Sequence, residues 1–340
     1  MITRNTGMLD HAPSRFQLGL SENPHPPLPS VIAALDRASR RANRYPEFLP
    51  TSLADIIADH EGLDAGHVVV GAGATGVAMQ VLRSMTSRDD RTVFSVPTFD
   101  GYPIMTEMCG LSAHTVALDD HGMQDLNAMR RSIDDRTTLA IVCRPHNPTG
   151  TLTPTVDLVD FLRSMPDHVT TILDEAYIEF VAPDLRIDVP ALISEYPGVV
   201  VLRTFSKAYG LAGLRIGYGL ASAGLAGRIR RLQLPFGMVA AAEEAVTASY
   251  AAAAELTDRV NSIVTERERL RADLSARGVV TPDSHANFLY LPGASIGGAL
   301  ADAGIASRRY ANGDARIAVG DPRAGRAVLE AITSSSHIPS

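Results

Sequence analysis

The sequence predicts an α/β protein: a three-layer αβα core on a mostly parallel sheet, joined to a smaller α+β unit. Three observations predict it. Short apolar runs rich in β-branched residues recur between His67 and Leu220, with helical patterns between them. Runs that are apolar on both faces suit strands covered by helices on both sides. Past Ser222 the texture changes to an alanine-rich stretch and then to charged helical sequence. The length of 340 residues, 45% of them hydrophobic and 20% charged, suits a soluble globular chain of about two domains.

In chain order, proline crowds residues 24–29, which read as an extended entry segment. The predicted strands are 67–70, 92–96, 113–118, 138–143, 169–173, 199–202 and 215–220. Residues 239–254 are alanine-rich and 255–277 are charged and helical. The remainder reads as a strand over 287–291, a helix over 296–303, a strand over 315–319 and a helix over 323–332. Residues 334–340 are polar and expected to fray.

Charge and cysteine content exclude several classes. With 31 basic and 38 acidic residues the formal charge is -7, so no footprint for nucleic acid or an anionic membrane surface exists. Cys109 and Cys143 cannot build a disulfide framework or a four-ligand zinc site, and no metal is expected. They read as core thiols in a reducing cytoplasm. The stretch from Met1 to Phe16 carries Asp10, His11 and Pro13 where a signal peptide needs an apolar run. A cytoplasmic protein without a membrane span is the expectation.

The basic residues contain one anomaly: Lys207 is the only lysine among the 31 cations. A coding bias toward arginine accounts for the others. Arginine replaces lysine as a charge, but not as an amine that loses its proton and attacks a carbonyl. Lys207 is therefore a candidate nucleophile, against the alternative of a chance survivor.

Gly71-Ala72-Gly73-Ala74-Thr75-Gly76 follows a predicted strand, opens a predicted helix and matches the dinucleotide fingerprint letter for letter. The ribose-binding acid at the end of the next strand is missing, since 92–96 runs into Pro97-Thr98-Phe99 and Asp100 falls past the turn. The expectation that survives is a phosphate held by glycine-permitted backbone and a helix N-terminus.

Three further segments each end a predicted strand, where α/β sheets present ligand sites. They are Arg144-Pro145-His146-Asn147-Pro148-Thr149-Gly150, Asp174-Glu175-Ala176-Tyr177, and Thr204-Phe205-Ser206-Lys207 with Leu214-Arg215-Ile216-Gly217 just beyond. Singly, each has a plain reading as a turn, a helix cap or a solvated loop. Together they hold an amine, an acid, a phenol, an amide and a Ser and Arg suited to phosphate.

With these motifs in order, the chain from about Leu20 to Ile332 resembles the fold-type I pyridoxal-phosphate-dependent aminotransferases of the histidinol-phosphate and aromatic amino acid group. Asn43-Arg44-Tyr45-Pro46, Gly210-Leu211-Ala212-Gly213-Leu214-Arg215, Ala286-Asn287-Phe288 and Ala315-Arg316-Ile317-Ala318-Val319-Gly320 add to the likeness. The resemblance implies a large pyridoxal-phosphate-binding domain over 40–235 and a small domain from 1–39 with 236–340. It implies that Lys207 links covalently to the cofactor and then shuttles the substrate proton, and that Asp174 pairs with the pyridine nitrogen. Asn147 and Tyr177 would bond the ring oxygen, and Phe99 would stack on the ring. Thr204, Ser206, Arg215 and the backbone N–H groups of Ala74 and Thr75 would hold the phosphate, joined by Tyr45 of a neighbouring subunit, which implies a homodimer with shared active sites. Arg316 matches the anchor for a substrate carboxylate or phosphate, and Arg308 a second anion contact, with Asn23 and His25 also at the substrate end. The chain departs from the family pattern at Ala74-Thr75-Gly76, at His25, at Arg144-Pro145-His146 and between Arg308 and Arg316, a shorter stretch with Arg309 as an added charge; these changes are read as surrounding the substrate end and leaving the cofactor site intact. For His25 and His146 a surface or packing role is the plain reading, set against a contact to substrate.

The function implied is transfer of an amino group from an aromatic amino acid or histidinol phosphate to a 2-oxo acid such as 2-oxoglutarate, by a ping-pong route. Residues 71–80 and Leu28-Pro29-Ser30 look more like the aromatic-specific members. The alternatives are a decarboxylase of a phosphorylated amino acid on the same scaffold, or a non-catalytic cofactor-binding protein.

Overall fold

The computed structural model describes residues 14–334. Asp10, His11 and Pro13, and the tail beyond Ser334, lie outside the described residues; Ser334 itself closes a helix that begins at Pro322.

Seven strands form the central sheet: β1 (Val68–Ala72), β2 (Arg91–Val96), β3 (Ser112–Ala117), β4 (Thr137–Cys143), β5 (Thr170–Asp174), β6 (Val199–Thr204) and β7 (Ile216–Ala221). Each predicted run lies on one of them. Their spatial order is β1-β7-β6-β5-β4-β2-β3. The pairs from β3 through β6 are parallel, while β7 runs antiparallel to both β6 and β1. The reversal follows from the connection. A parallel return needs a crossover of about a dozen residues or more, usually a helix, and the link from β6 to β7 holds only the short turn Ala212–Leu214.

Neighbouring residues of one strand enter opposite cores. Val68, Val70, Val142, Leu173 and Val201 pack on one side of the sheet, and Val69, Ile141, Ile172, Val200 and Leu202 on the other. Two-sided burial is the reason these strands read as continuous apolar runs and not as alternating ones. Helices begin where the chain supplies a start: Asp125 and Asp188 accept from the N–H groups of Ala128 and Ala191 at 2.8 and 3.0 Å. Pro29, the last of the predicted extended segment, opens the helix Pro29–Ser39.

The smaller sheet has β8 (Phe288–Leu291), β9 (Arg308–Arg309) and β10 (Ala315–Ala318) in the antiparallel order β9-β10-β8. Leu289 and Ile317 of this sheet share a core with Leu270 of the long helix Ala253–Ser275 and Val328 of the last helix. Phe16–Gln17 pairs in parallel with Ile305–Ala306, so the beginning of the described chain is laid on its C-terminal third. The expected bounds at 40 and 236 cut across one packing unit. Leu28, Val31, Ala242, Ala245 and Val246, from the helices Pro29–Ser39 and Ala242–Ala251, share the core with Val70 and Leu173 of the large sheet. Among the described residues no helix is long and apolar enough to cross a membrane, and no group of three or more His, Cys, Asp or Glu side chains is placed to hold a metal.

Candidate active site

The four sequence segments meet along one edge of the large sheet. Phe99 follows β2, Asn147 follows β4, Asp174 ends β5, and Ser206 and Lys207 follow β6. Because β7 is antiparallel, its first residues lie at this same edge and bring Arg215 and Gly217 to it. The edge borders a cavity of about 1110 Å³ lined by Phe99, Asn147, Asp174, Ser206, Lys207 and Arg215 together with Arg308 and Arg316 of the smaller sheet.

Lys207 is the centre of the arrangement. Its Nζ donates to the carbonyl of Ser21 at 2.9 Å and lies 5.6 Å from the centre of the Tyr177 ring. Burial, aided by the positive charge of Arg316, pulls its pKa down to about 8. A buried amine that is partly neutral near physiological pH is what nucleophilic attack and proton transfer require.

Asp174 Oδ2 accepts from the Tyr102 hydroxyl at 2.6 Å, and Oδ1 from the N–H of Ala176 at 3.0 Å. Burial raises the carboxyl pKa, while these two donors act in the opposite direction. Arg316 Nη1 donates to Asn147 Oδ1 at 2.7 Å, which turns the amide so that its Nδ2 donates to Tyr177 Oη at 3.3 Å. Arg316 Nη2 is held by the carbonyl of Gly19 at 2.8 Å. Burial pushes the Tyr177 phenol up to about 12. Phe99 stands edge-on to Tyr102, ring centres 5.5 Å apart, at the cavity wall.

The glycine turn forms an anion cradle. Gly73 has φ +74° and opens the helix Gly73–Met85, and a Cβ there would lie 2.4 Å from Arg215 Nη2. A Cβ on Gly217 would meet the backbone N of Ala74 at 2.1 Å. Two missing side chains thus let a guanidinium and the start of a helix converge with Ser206, whose Oγ accepts from Thr204 Oγ1 at 3.0 Å and from Arg215 Nη1 at 3.4 Å. Ala74, Thr75, Thr204, Ser206 and Arg215 all line the cavity. A phosphate-bearing ring aldehyde fits this donor set: a neutralisable amine, a buried carboxylate, an amide and phenol pair, and a cradle at one end.

Other expected residues fall differently. Arg308 lines the cavity, with Nη2 paired to Asp100 Oδ2 at 2.5 Å. Asn23 is not part of the cavity wall; its Nδ2 donates to the carbonyls of Lys207 and Ala208 at 3.1 and 2.9 Å, so it braces the lysine loop. His25 is exposed and is not among the residues lining the cavity. Tyr45 is 83% exposed and packs on Phe236 outside the cavity of its own chain. His146 is a core residue: Nδ1 bonds Thr149 Oγ1 at 3.0 Å, Nε2 is buried without a partner, and burial drives its pKa down to about 3. Cys143 is buried and Cys109 half-buried, both as free thiols.

Sequence reasoning missed Tyr102, although it stands one helical turn past Phe99, and a polar tether behind the lysine. Arg203 joins Glu61 at 2.7 Å and Glu175 at 2.9 Å, tying the ends of β5 and β6 to the helix Thr51–Glu61. The signal for both was present as a polar residue beside a strand end, yet nothing in the sequence paired them.

A family model described as aminotransferase class I and II matches residues 14–332. An aromatic amino acid aminotransferase of Rhodococcus opacus is 40% identical over 95% of this chain and 91% of its own. One of Cutibacterium acnes is 38% identical over 96% and 94%. Among solved structures, histidinol-phosphate aminotransferase of Sinorhizobium meliloti in complex with pyridoxal-5'-phosphate superposes with a TM-score of 0.88 at 27% identity, covering 94% of this chain and 92% of that one.

Proposed function

The chain belongs to the class I and II aminotransferases, its cofactor is pyridoxal 5'-phosphate, and we propose that it moves the amino group of an aromatic amino acid to a 2-oxo acid such as 2-oxoglutarate. The observation that carries the choice of donor is the cavity wall. Besides Lys207 and Arg316 its lining includes Leu20, Ile104, Met105 and Met108, apolar side chains suited to the body of a ring. The curated relatives named above carry the same donor class in their names.

The cofactor supplies an aldehyde that takes up the amine and a protonated ring that accepts the electron pair of the substrate Cα–H bond. The residues do the rest. Lys207 would hold the cofactor through its amine, and that amine, once free, would be the base that carries the proton off the substrate α-carbon. Asp174, held by Tyr102 and Ala176, would pair with the ring nitrogen and keep it protonated. Asn147 Nδ2 and Tyr177 Oη would bind the ring oxygen, and Phe99 would cover a ring face. Thr204, Ser206, Arg215 and the N–H groups of Ala74 and Thr75, all at the cavity, would bind the phosphate. Arg316 takes the substrate carboxylate with its planar fork.

The same proposal includes a homodimer. Tyr45, Phe48, Leu234 and Phe236 form an exposed apolar face, and Phe236 and Phe48 stack edge-on at 5.2 Å. A second copy would cover that face, with Tyr45 reaching the partner's phosphate cradle. The reading also includes a large unit built on the seven-stranded sheet and a smaller one built on the three-stranded sheet, with the helices Pro29–Ser39 and Ala242–Ala251 packed on the large one. A cytoplasmic location completes the reading, in line with two free thiols.

Borohydride treatment of the holoprotein followed by peptide mass mapping should place the cofactor on Lys207. A single-turnover donor panel should rank phenylalanine and tyrosine above histidinol phosphate; the reverse ranking refutes the aromatic assignment.

A further inference from the structure

Asp100 follows Phe99 directly, and its Oδ2 lies 2.5 Å from Arg308 Nη2, with the arginine side chain 9% and the aspartate side chain 31% exposed. Arg308 is the register partner of Arg316 across antiparallel β9 and β10. Directly opposed residues of such a pair project from the same face of a sheet, and both arginines line the cavity. The substrate end therefore holds two guanidiniums side by side. Each has a buried Nε with no hydrogen-bond partner, donor capacity that an anionic ligand can use.

Their surroundings differ. Arg316 is bonded to neutral acceptors, Asn147 Oδ1 and the Gly19 carbonyl. Arg308 is bonded to a carboxylate. The pair of cations is thus reduced to about one net charge at the place where the donor's anion is read.

Resting on the aminotransferase reading above, we propose that Asp100 is a specificity-determining residue. By occupying Arg308 it leaves one uncompensated guanidinium, Arg316, which matches a donor with a single carboxylate on an apolar body. A phosphate monoester carries a charge of about −1.5 to −2 near neutrality. To use both arginines it must approach the Asp100 carboxylate or displace it, so phosphorylated donors are selected against. An acceptor with a second carboxylate exchanges one monoanion for another on Arg308, a smaller perturbation.

The test uses two unreactive ligands with one aromatic body and different anions, 3-phenylpropanoate and 2-phenylethyl phosphate, titrated into the holoenzyme. In Asp100→Asn the phosphate should bind tighter by about tenfold or more, the size of one good charge-assisted contact, with the carboxylate changed less than about threefold. Adding Arg308→Gln to Asp100→Asn should abolish the gain, which separates a charge effect from a general loosening of the site. Equal changes for both ligands, or no tightening of the phosphate, overturn the proposal. Turnover of phenylalanine by the unmodified enzyme is a separate arm: its absence defeats the aromatic assignment, while the ligand ratio still decides the role of Asp100.

Discussion

The hydroxyl of Tyr102 donates to Asp174 Oδ2 over 2.6 Å, joining the first turn of the helix Gly101–Met108 to the last residue of β5. Tyr102 is buried and Asp174 half-buried, and the acid is the one assigned to the ring nitrogen. A hydrogen bond to a buried carboxylate stabilises the ionised form, so the phenol offsets part of the desolvation that raises the Asp174 pKa. Tyr102→Phe keeps the ring packing and removes that donor. A charged hydrogen bond contributes about 1.5–3 kcal/mol, so kcat in single-turnover assays should fall by about 10- to 100-fold. An unchanged rate would mean that Ala176 N–H alone sets the carboxylate.

Lys207 must be neutral to attack an aldehyde, and its pKa stands at about 8 against 10.5 for an ordinary lysine. The neutral fraction rises with pH through the folded value. The rate at which the cofactor-free protein takes up pyridoxal phosphate, followed by absorbance, should therefore climb with pH and level off above about pH 8. A climb that continued toward 10.5 would show an unperturbed amine.

Gly217 lets the backbone of Ala74 approach to within a distance that a Cβ would violate at 2.1 Å. Gly217→Ala must push the start of the helix Gly73–Met85 away from Ser206 and Arg215. Cofactor affinity should drop by about tenfold or more, with the loss of oriented N–H donors as the cause. Fluorescence titration with the cofactor reads this directly, and inorganic phosphate should lose its ability to compete.

His146 is buried with a pKa of about 3, while an exposed histidine titrates near 6.5. Between these values the unfolded chain binds more protons than the folded one, so stability falls as pH drops through that window. The slope is at most about 1.4 kcal/mol per pH unit for one group. Urea midpoints compared at about pH 5 and about pH 7 should show a smaller difference in His146→Gln than in the parent.

If Tyr45 completes the partner's cradle, protomers carrying Tyr45→Ala and protomers carrying Lys207→Ala should complement each other. Mixed dimers contain one site with both residues intact. Activity at limiting cofactor should exceed that of either parent dimer, and the absence of recovery would place Tyr45 outside the site.

What the residues alone determined was local. Strands with two buried faces announce themselves as continuous apolar runs, which is why the seven runs between His67 and Leu220 each fell on a strand of the central sheet. Lys207 stood out because a chain that uses arginine everywhere else keeps one amine, and Asp174, Asn147 and Arg215 because strand ends followed by turns present functional groups; that the four line one cavity was decided by the fold. Strand direction was not: β7 reverses because of its short connection and its pairing with two neighbours, both properties of the assembled sheet. The exposure of His25 is likewise a property of the folded chain and not of its sequence neighbours. Tyr102 with Asp174, and Asp100 with Arg308, are partnerships between segments remote in sequence. Side-chain chemistry says what each of these groups can do, but the desolvation and the opposing charge that set its pKa and its preferred ligand arise only when packing brings the partner within hydrogen-bonding distance and removes the water between them.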